Sequence, residues 1–385
     1  MRTIGVVTVA RSDYGIYRPV LQRIQADCRL HLHLIVAAAH LKKTFGYTIR
    51  EIEADGFPVG DRVDILRGTD SPVAIAEAIG RGVIGYARSL ARKRPDLLVV
   101  LGDRFEMYAA ATAALPLRIP VAHIHGGELS TGAIDDALRH SITKLSHLHF
   151  VSTKNYARRV VQLGEEPWRV TVSGAPSLDN LRTLSLLTPT ELEKRFGLCL
   201  DPQPVVVTFH PVTLESEQTE AYTRELLAAL DAAGLPVVFT APNADTHGSV
   251  IRHQMARYVK THPTARFVEN FGTQAYFSLM ARATAMVGNS SSGILEAPSF
   301  KLPVVNIGNR QAGRFRAANV IDVGTHRSEI LAGIRRAIQP RFRASLCGLI
   351  NPYGDGHAAN RIVNRLRRVP VNNKLVMKQF YDLPA

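Results

Sequence analysis

A chain of 385 residues is long for one hydrophobic core and suits two domains of ordinary size. Its 46% hydrophobic and 21% charged residues exclude a disordered or fibrous chain. The formal charge of +14 invites nucleic acid, but only ten of the 47 basic residues are lysine, they form no long run and aromatics do not interleave with them, so no nucleic-acid partner is expected.

The opening "MRTIGVVTVARSDYG" has an apolar core too short for a signal peptide, and no apolar stretch reaches membrane-spanning length. A cytoplasmic protein with no membrane partner is expected. Cys28, Cys199 and Cys347 are odd in number, far apart and without metal-ligand spacing, so they read as reduced, buried thiols.

In chain order, "IGVVTVA", "LHLHLIVAA", "LLVVL", "PVAHI" and "HLHFVS" read as buried strands separated by helix-period segments. That alternation predicts βαβ units and a parallel sheet. After "VTVSGAPSLDNL", Thr188 caps and Pro189 opens a short helix, with no strand pattern until residue 205. The second half repeats the alternation with "VVVTFH", "LPVVFTA", "ARFVEN", "TAMVGN" and "LPVVNIG". The expected fold class is α/β, with two Rossmann-like doubly wound domains facing across a cleft. Their boundaries are 1–182 for the first domain, 183–365 for the second, and 366–385 for a tail. Residues 340–355 read as irregular, "GHAANRIVNRLRR" as a helix, and the tail "VPVNNKLVMKQFYDLPA" reveals no partner.

Ligands of such sheets bind outside the carboxyl ends of the strands, so charge placed there is the functional signal. "ARSDYG" puts Arg11 and Asp13 before a helix whose free amides favour an anion. "LLVVLGDRFE" runs from a core strand into Asp103, Arg104 and Glu106, with Arg104 expected to offset the charge of Asp103. The stretch 121–150 holds five His together with Glu128, Asp135, Asp136 and Arg139, after a Gly-Gly turn that lets backbone approach a ligand. No metal is expected. His123 and His125 alternate on one strand face, and no HxxxH pair brings a carboxylate with it. His40, Arg139 and His140 join the substrate-binding candidates.

In the second half His210 and Asn243 stand at strand ends. "GNSSSGILEAPS" opens a helix after a strand, with Ser290 and Ser291 as phosphate donors and Glu296 about one and a half turns in, suited to a ribose diol. "NIGNRQAGR" adds Arg310 and Arg314. The absence of GxxxxGK[ST], and of GxGxxG after the first strand, argues against P-loop and nicotinamide chemistry and leaves a substituted nucleoside diphosphate.

Read together, "ARSDYG", "VVLGDRFEM", "HIHGGE", "AIDDALRHSITKLSH", "TFHPVT", "GNSSSGILEAP", "NIGNRQAGR" and "KQFYDL" resemble the hydrolysing UDP-N-acetylglucosamine 2-epimerases of sialic and legionaminic acid biosynthesis, nearly end to end. The resemblance implies a GT-B-like pair of domains. It implies elimination of UDP to a 2-acetamidoglycal, then hydration to free N-acetylmannosamine or a close relative, with no metal, no nicotinamide and no other cofactor. It places Asp103 and Asp135 among the catalytic acids, with His125, Glu128 and His210 as further catalytic candidates. It sets His210, Asn243, Ser290, Ser291 and Glu296 around UDP, and Arg11, Arg104 and Arg310 near phosphates or sugar. The partner is thus a UDP-amino-sugar, and a homo-oligomer is expected. Two departures stand out. His125 replaces the Glu of "HIEGGE" found in some members, and Gly15 replaces a nucleotide-contacting Ser of the animal enzyme.

The chemistry fits on independent grounds. The C2 proton of an acetamido sugar is barely acidic, so the departing diphosphate must be stabilised while carboxylates take the proton and offset developing cation. The rivals are a GT-B glycosyltransferase, which would need an acceptor groove, and a sugar-nucleotide sensor without turnover. The acids Asp103 and Asp135 argue against the sensor.

Overall fold

Valine- and leucine-rich runs form two parallel sheets in the computed structural model, which describes residues 1–67, 71–130, 134–242 and 248–383. The first sheet contains β1 (Arg2–Thr8), β2 (Leu30–Ala37), β3 (Val59–Val63), β4 (Leu97–Leu101), β5 (Val121–Ile124), β6 (Leu148–Val151) and β7 (Val170–Val172), in the order β3-β2-β1-β4-β5-β6-β7. The second contains β8 (Val205–Thr208), β9 (Val237–Thr240), β10 (Ala265–Val268), β11 (Ala285–Gly288), β12 (Val304–Ile307) and β13 (Val320–Val323), in the order β10-β9-β8-β11-β12-β13. All the pairings are parallel, with Ile4 opposite Leu97 at the centre of the first sheet and Met286 opposite Val206 in the second.

Parallel strands are covered on both faces, which is why they read as unbroken apolar runs. In the second sheet Val205 and Val207 join one core with Phe239 and Val305, whereas Val206 joins another with Val238, Met286 and Val304. The alternation along β8 is that of side chains leaving a strand on opposite faces. The predicted cap also forms: Thr188 accepts from Glu191 N, the Glu191 carboxylate returns to Thr188 N, and the helix Pro189–Phe196 follows.

The strand order reverses between β1 and β4 in one sheet and between β8 and β11 in the other. These are the switch points at which doubly wound sheets open a crevice at their carboxyl ends.

Three expectations are corrected. Contacts divide the chain into one unit of Met1–Glu128, Ile134–Asn180 and Tyr353–Ala385 and a second of Leu129–Ala133 and Leu181–Pro352. Residues from 353 on therefore join the first unit and not the 183–365 domain or a free tail. The cause is the helix Ala358–Arg368, whose buried Ile362, Val363 and Leu366 join the core beneath the helix Arg11–Gln25 and whose first amides are capped by the Asp179 carboxylate at 2.8 and 2.7 Å. Residues 340–355 are not wholly irregular, since Pro340 opens a helix to Ser345. Cys28, Cys199 and Cys347 are exposed, each in a turn or irregular chain outside the helices and strands and outside any core. Among the described residues no helix is long and apolar enough to cross a membrane.

Candidate active site

The first cluster lies beyond the carboxyl ends of β1, β4 and β5. After β1, Asp13 turns inward and caps the helix Arg11–Gln25, accepting from Val9 N (3.0 Å), Ala10 N (2.7 Å) and the Thr8 hydroxyl (2.6 Å). Burial pushes its carboxyl up to about 6, against the donors that favour the ionised form. The carboxylate thus closes on the two amides that precede the helix and not on the first-turn amides expected to favour an anion. Arg11 lies exposed beside Glu51 at 3.4 Å. His40 is fully buried between Thr8 Oγ1 (3.0 Å) and Thr48 Oγ1 (2.7 Å), and burial lowers it to about 4, so its imidazole is neutral.

Gly102 turns β4 into the Asp103 corner, and the two charged residues that follow part company. Arg104 forks onto Glu106 through two bonds of 3.2 and 3.0 Å, and Glu106 is only 1% exposed. Asp103 is instead bound by Arg139, from the helix Ile134–Leu145. The charge of Asp103 still acts on Arg104, as expected of neighbours in sequence, but the direct bond to its carboxylate comes from Arg139 while Arg104 forks onto Glu106.

Arg139 is buried and gathers the cluster. One nitrogen meets Asp103, and the other donates to His125 O at 2.8 Å and stands 4.0 Å from Glu128. His125 lies past the end of β5 with φ +65°, so it does not continue the strand alternation with His123. Its Nδ1 meets Glu128 at 2.6 Å, and the same oxygen accepts from Ser152 at 2.8 Å. Glycine is required beside it: at Gly127, with φ +75°, a Cβ would stand 2.6 Å from Tyr156 O. Asp135, in the first turn of the same helix as Arg139, has its carboxyl raised by burial and then by the negative charge of Asp103. The negative charge of Asp103 thus reaches Asp135, with Arg104 and Arg139 acting on Asp135 in the opposite sense. His140 points to Asp136 at 3.6 Å, and burial lowers it.

The second cluster lies past β8 and β11. Asn289 clamps the two strand ends: its Oδ1 accepts from His210 N at 2.7 Å and its Nδ2 donates to His210 O at 2.8 Å. The strands approach so closely that only Gly fits at 288, where φ is +137° and a Cβ would stand 2.0 Å from Thr208 O. Arg310 and Gln311 both donate to Asn289 O, at 3.1 and 2.9 Å. Burial, then the charge of Arg310, lowers His210 to about 3. The helix expected after "GNSSS" is a single turn, Ser292–Leu295, so Glu296 sits at its end and not within it. Ser290 Oγ accepts from Ser292 N at 3.3 Å, and Ser291 precedes the turn. Arg314 follows in the loop, bonding Gln311 O through its amide at 3.3 Å. Asn243 lies outside the described residues.

Sequence reasoning missed Asn289 and Ser152 as organisers, and noted Glu106 without its role as the partner of Arg104. Asn289 had a signal, as the lone amide between a strand-end Gly and the serines; Ser152 had none.

Two doubly wound sheets with charged clusters at their switch points define an α/β protein of the nucleotide-binding class. The chain belongs to the UDP-N-acetylglucosamine 2-epimerase family, whose model matches residues 22–367. It is 36% identical over 379 residues to the UDP-N,N'-diacetylbacillosamine 2-epimerase (hydrolyzing) of Legionella pneumophila, covering 98% of this chain and 99% of that one. It is also 36% identical over 384 residues to the GDP/UDP-N,N'-diacetylbacillosamine 2-epimerase (hydrolyzing) of Campylobacter jejuni, covering 99% of each. The fold is shared with a crystal structure of the UDP-GlcNAc 2-epimerase from Neisseria meningitidis bound to UDP-GlcNAc, at TM-score 0.81 and 20% identity, covering 95% of this chain and 99% of that one.

Proposed function

We propose that this chain hydrolyses a UDP-2-acetamido sugar to UDP and the free 2-epimer, UDP-GlcNAc giving N-acetylmannosamine. The observation that carries the reading is the Asp103–Asp135 pair, with the arginines 104 and 139 beside it. One carboxylate takes the C2 proton as the C1–O bond to UDP breaks, and the electron pair forms the C1–C2 double bond of the glycal. Water then adds its hydroxyl at C1 and a proton returns to C2 on the opposite face, so one water is consumed and one UDP released. Glu128 and His125 position the sugar or the water. Arg310, Ser290, Ser291, Asn243 and Glu296 serve the nucleotide, with His210 held neutral among them. The protein works as a cytoplasmic homo-oligomer with neither metal nor nicotinamide.

The names of the two 36% relatives favour a second substrate, UDP-2,4-diacetamido-2,4,6-trideoxyglucose. His125 supports it, since an imidazole stands where some family members carry a carboxylate.

The test is UDP release with each sugar in the presence of EDTA, with NMR analysis of the product, in wild type and His125→Glu. UDP and a free manno-configured sugar are expected without any acceptor. A product that keeps UDP, or activity abolished by chelation, would overturn the reaction. A wild-type preference for UDP-GlcNAc of about tenfold in kcat/KM, or about 1.4 kcal/mol, would reject the diacetamido sugar.

A further inference from the structure

The last residues of the chain are distant in sequence from Asp103 and Asp135, yet they are built into the far end of the helix that carries Asp135 and Arg139. Lys378 Nζ donates to Lys144 O at 2.7 Å and Ser146 O at 2.6 Å, the carbonyls that close the helix Ile134–Leu145. An ammonium there satisfies carbonyls that the helix cannot and complements its dipole. The same ammonium meets Glu165 at 2.8 Å.

Glu165 is fully buried and also receives Lys144 at 2.7 Å and His149 at 2.9 Å. Burial alone would raise its carboxyl, but His149 and the lysines hold it down to about 2. Phe380 closes the assembly, lying over Gly164, where a Cβ would meet its ring at 2.4 Å, and under the Lys144 ammonium at 5.1 Å. Tyr381 N donates to Gly164 O at 3.0 Å. A second arm runs through the sheet. His149 is the strand partner of His123, which bonds Gly102 O at 2.7 Å, next to Asp103, and faces Thr143 of the same helix at 3.2 Å.

We propose that the segment Lys378–Tyr381 is a positioning element for the reaction, in which Lys378 fixes one end of the Ile134–Leu145 helix and thereby the placement of Asp135 and Arg139 at the other. Only the activity arm of its test rests on the 2-epimerase reading. A helix moves as a rod, and a misplacement of about 1 Å at a reacting group can cost about 10²-fold in rate. Lys378→Met leaves two carbonyls and a buried carboxylate short of a donor, whereas Lys378→Arg keeps charge and donors.

The experiment compares full-length wild type, Lys378→Met, Lys378→Arg and Phe380→Ala by steady-state UDP release and by amide hydrogen exchange. The Met variant is expected to lower kcat about tenfold or more with KM within about threefold, and to speed exchange over 134–145 while leaving 205–208 unchanged. The Arg variant restores most of kcat. Phe380→Ala, at a largely exposed ring, gives the same split at smaller size and carries the test if the Met variant does not fold. Unchanged kcat in both variants, or slower turnover with unchanged exchange in the helix, overturns the proposal. A wild type that releases no UDP counts against the 2-epimerase reading instead, and the exchange measurement then decides the positioning role alone.

Discussion

Arg139 binds the carboxylate of Asp103 from a different secondary-structure element, while Arg104, the next residue along the chain, is turned to Glu106. The strand-end acid is thus held by the helix that also carries Asp135. Removing Arg139 uncovers a buried network, so Arg139→Met should cost about 3–5 kcal/mol in urea unfolding. Arg62→Met, which breaks an exposed pair with Glu53, should leave the midpoint unchanged. Equal midpoints for the two variants would mean that Arg139 does not organise the cluster.

Asp103→Asn and Asp135→Asn should each lower kcat by about 10²-fold or more, with UDP affinity by calorimetry kept within about threefold. Arg310→Ala should do the reverse, weakening UDP, because that side chain lies with the His210–Asn289 clamp. The opposite pattern would reverse the division of roles between the two clusters.

Acid should destabilise the fold earlier than carboxylate titration alone would. His40 and His147 are lowered to about 4, and His123 and His210 to about 3, in each case chiefly by burial. His147 Nδ1 accepts from Val121 N at 3.1 Å, which only the neutral ring can do. The unfolded chain takes up these protons near 6.5 and the folded chain does not. Stability is therefore full above about 6.5 and falls as pH drops toward 4, by up to about 1.4 kcal/mol per pH unit for each ring. Thermal melts from pH 7.5 to 4.5 should show the fall, and His147→Asn, which can still accept, should make it shallower. A flat profile would contradict buried neutral rings.

Gly288→Ala should cost about 1–3 kcal/mol from backbone strain, with the contact to Thr208 O adding to it. Because the displaced backbone carries Asn289, UDP affinity should fall as well. Retained UDP affinity in a destabilised variant would separate the clamp from the nucleotide.

The strands that were legible in the sequence are the interior ones and, of the edges, only β10, whose Phe267 and Val268 keep an apolar end. β3, β7 and β13 were not, and all three are sheet edges, where half the surface faces solvent and residues such as Asp61, Thr171 and Asp322 interrupt the apolar run. The strand-end acids could be read because charge after a core strand is rare. Their partners could not, since which arginine meets Asp103 depends on where a separate helix docks. The inward turn of Asp13 was hidden for the same reason: a capping acid and a ligand-binding acid look alike until the donors are seen.

The first unit takes in both the start and the finish of the chain, with Arg2 bonding the carbonyls of Leu366 and Arg367. In order of synthesis, Leu181–Pro352 is made before the closing helix of the first unit and the lysine that caps the Ile134–Leu145 helix. Completion of the first unit thus runs against the usual N-terminal-first progress of synthesis. The candidate catalytic acids, made early, therefore share a unit with residues made late, and that unit can be completed only after the whole of Leu181–Pro352 has been synthesised.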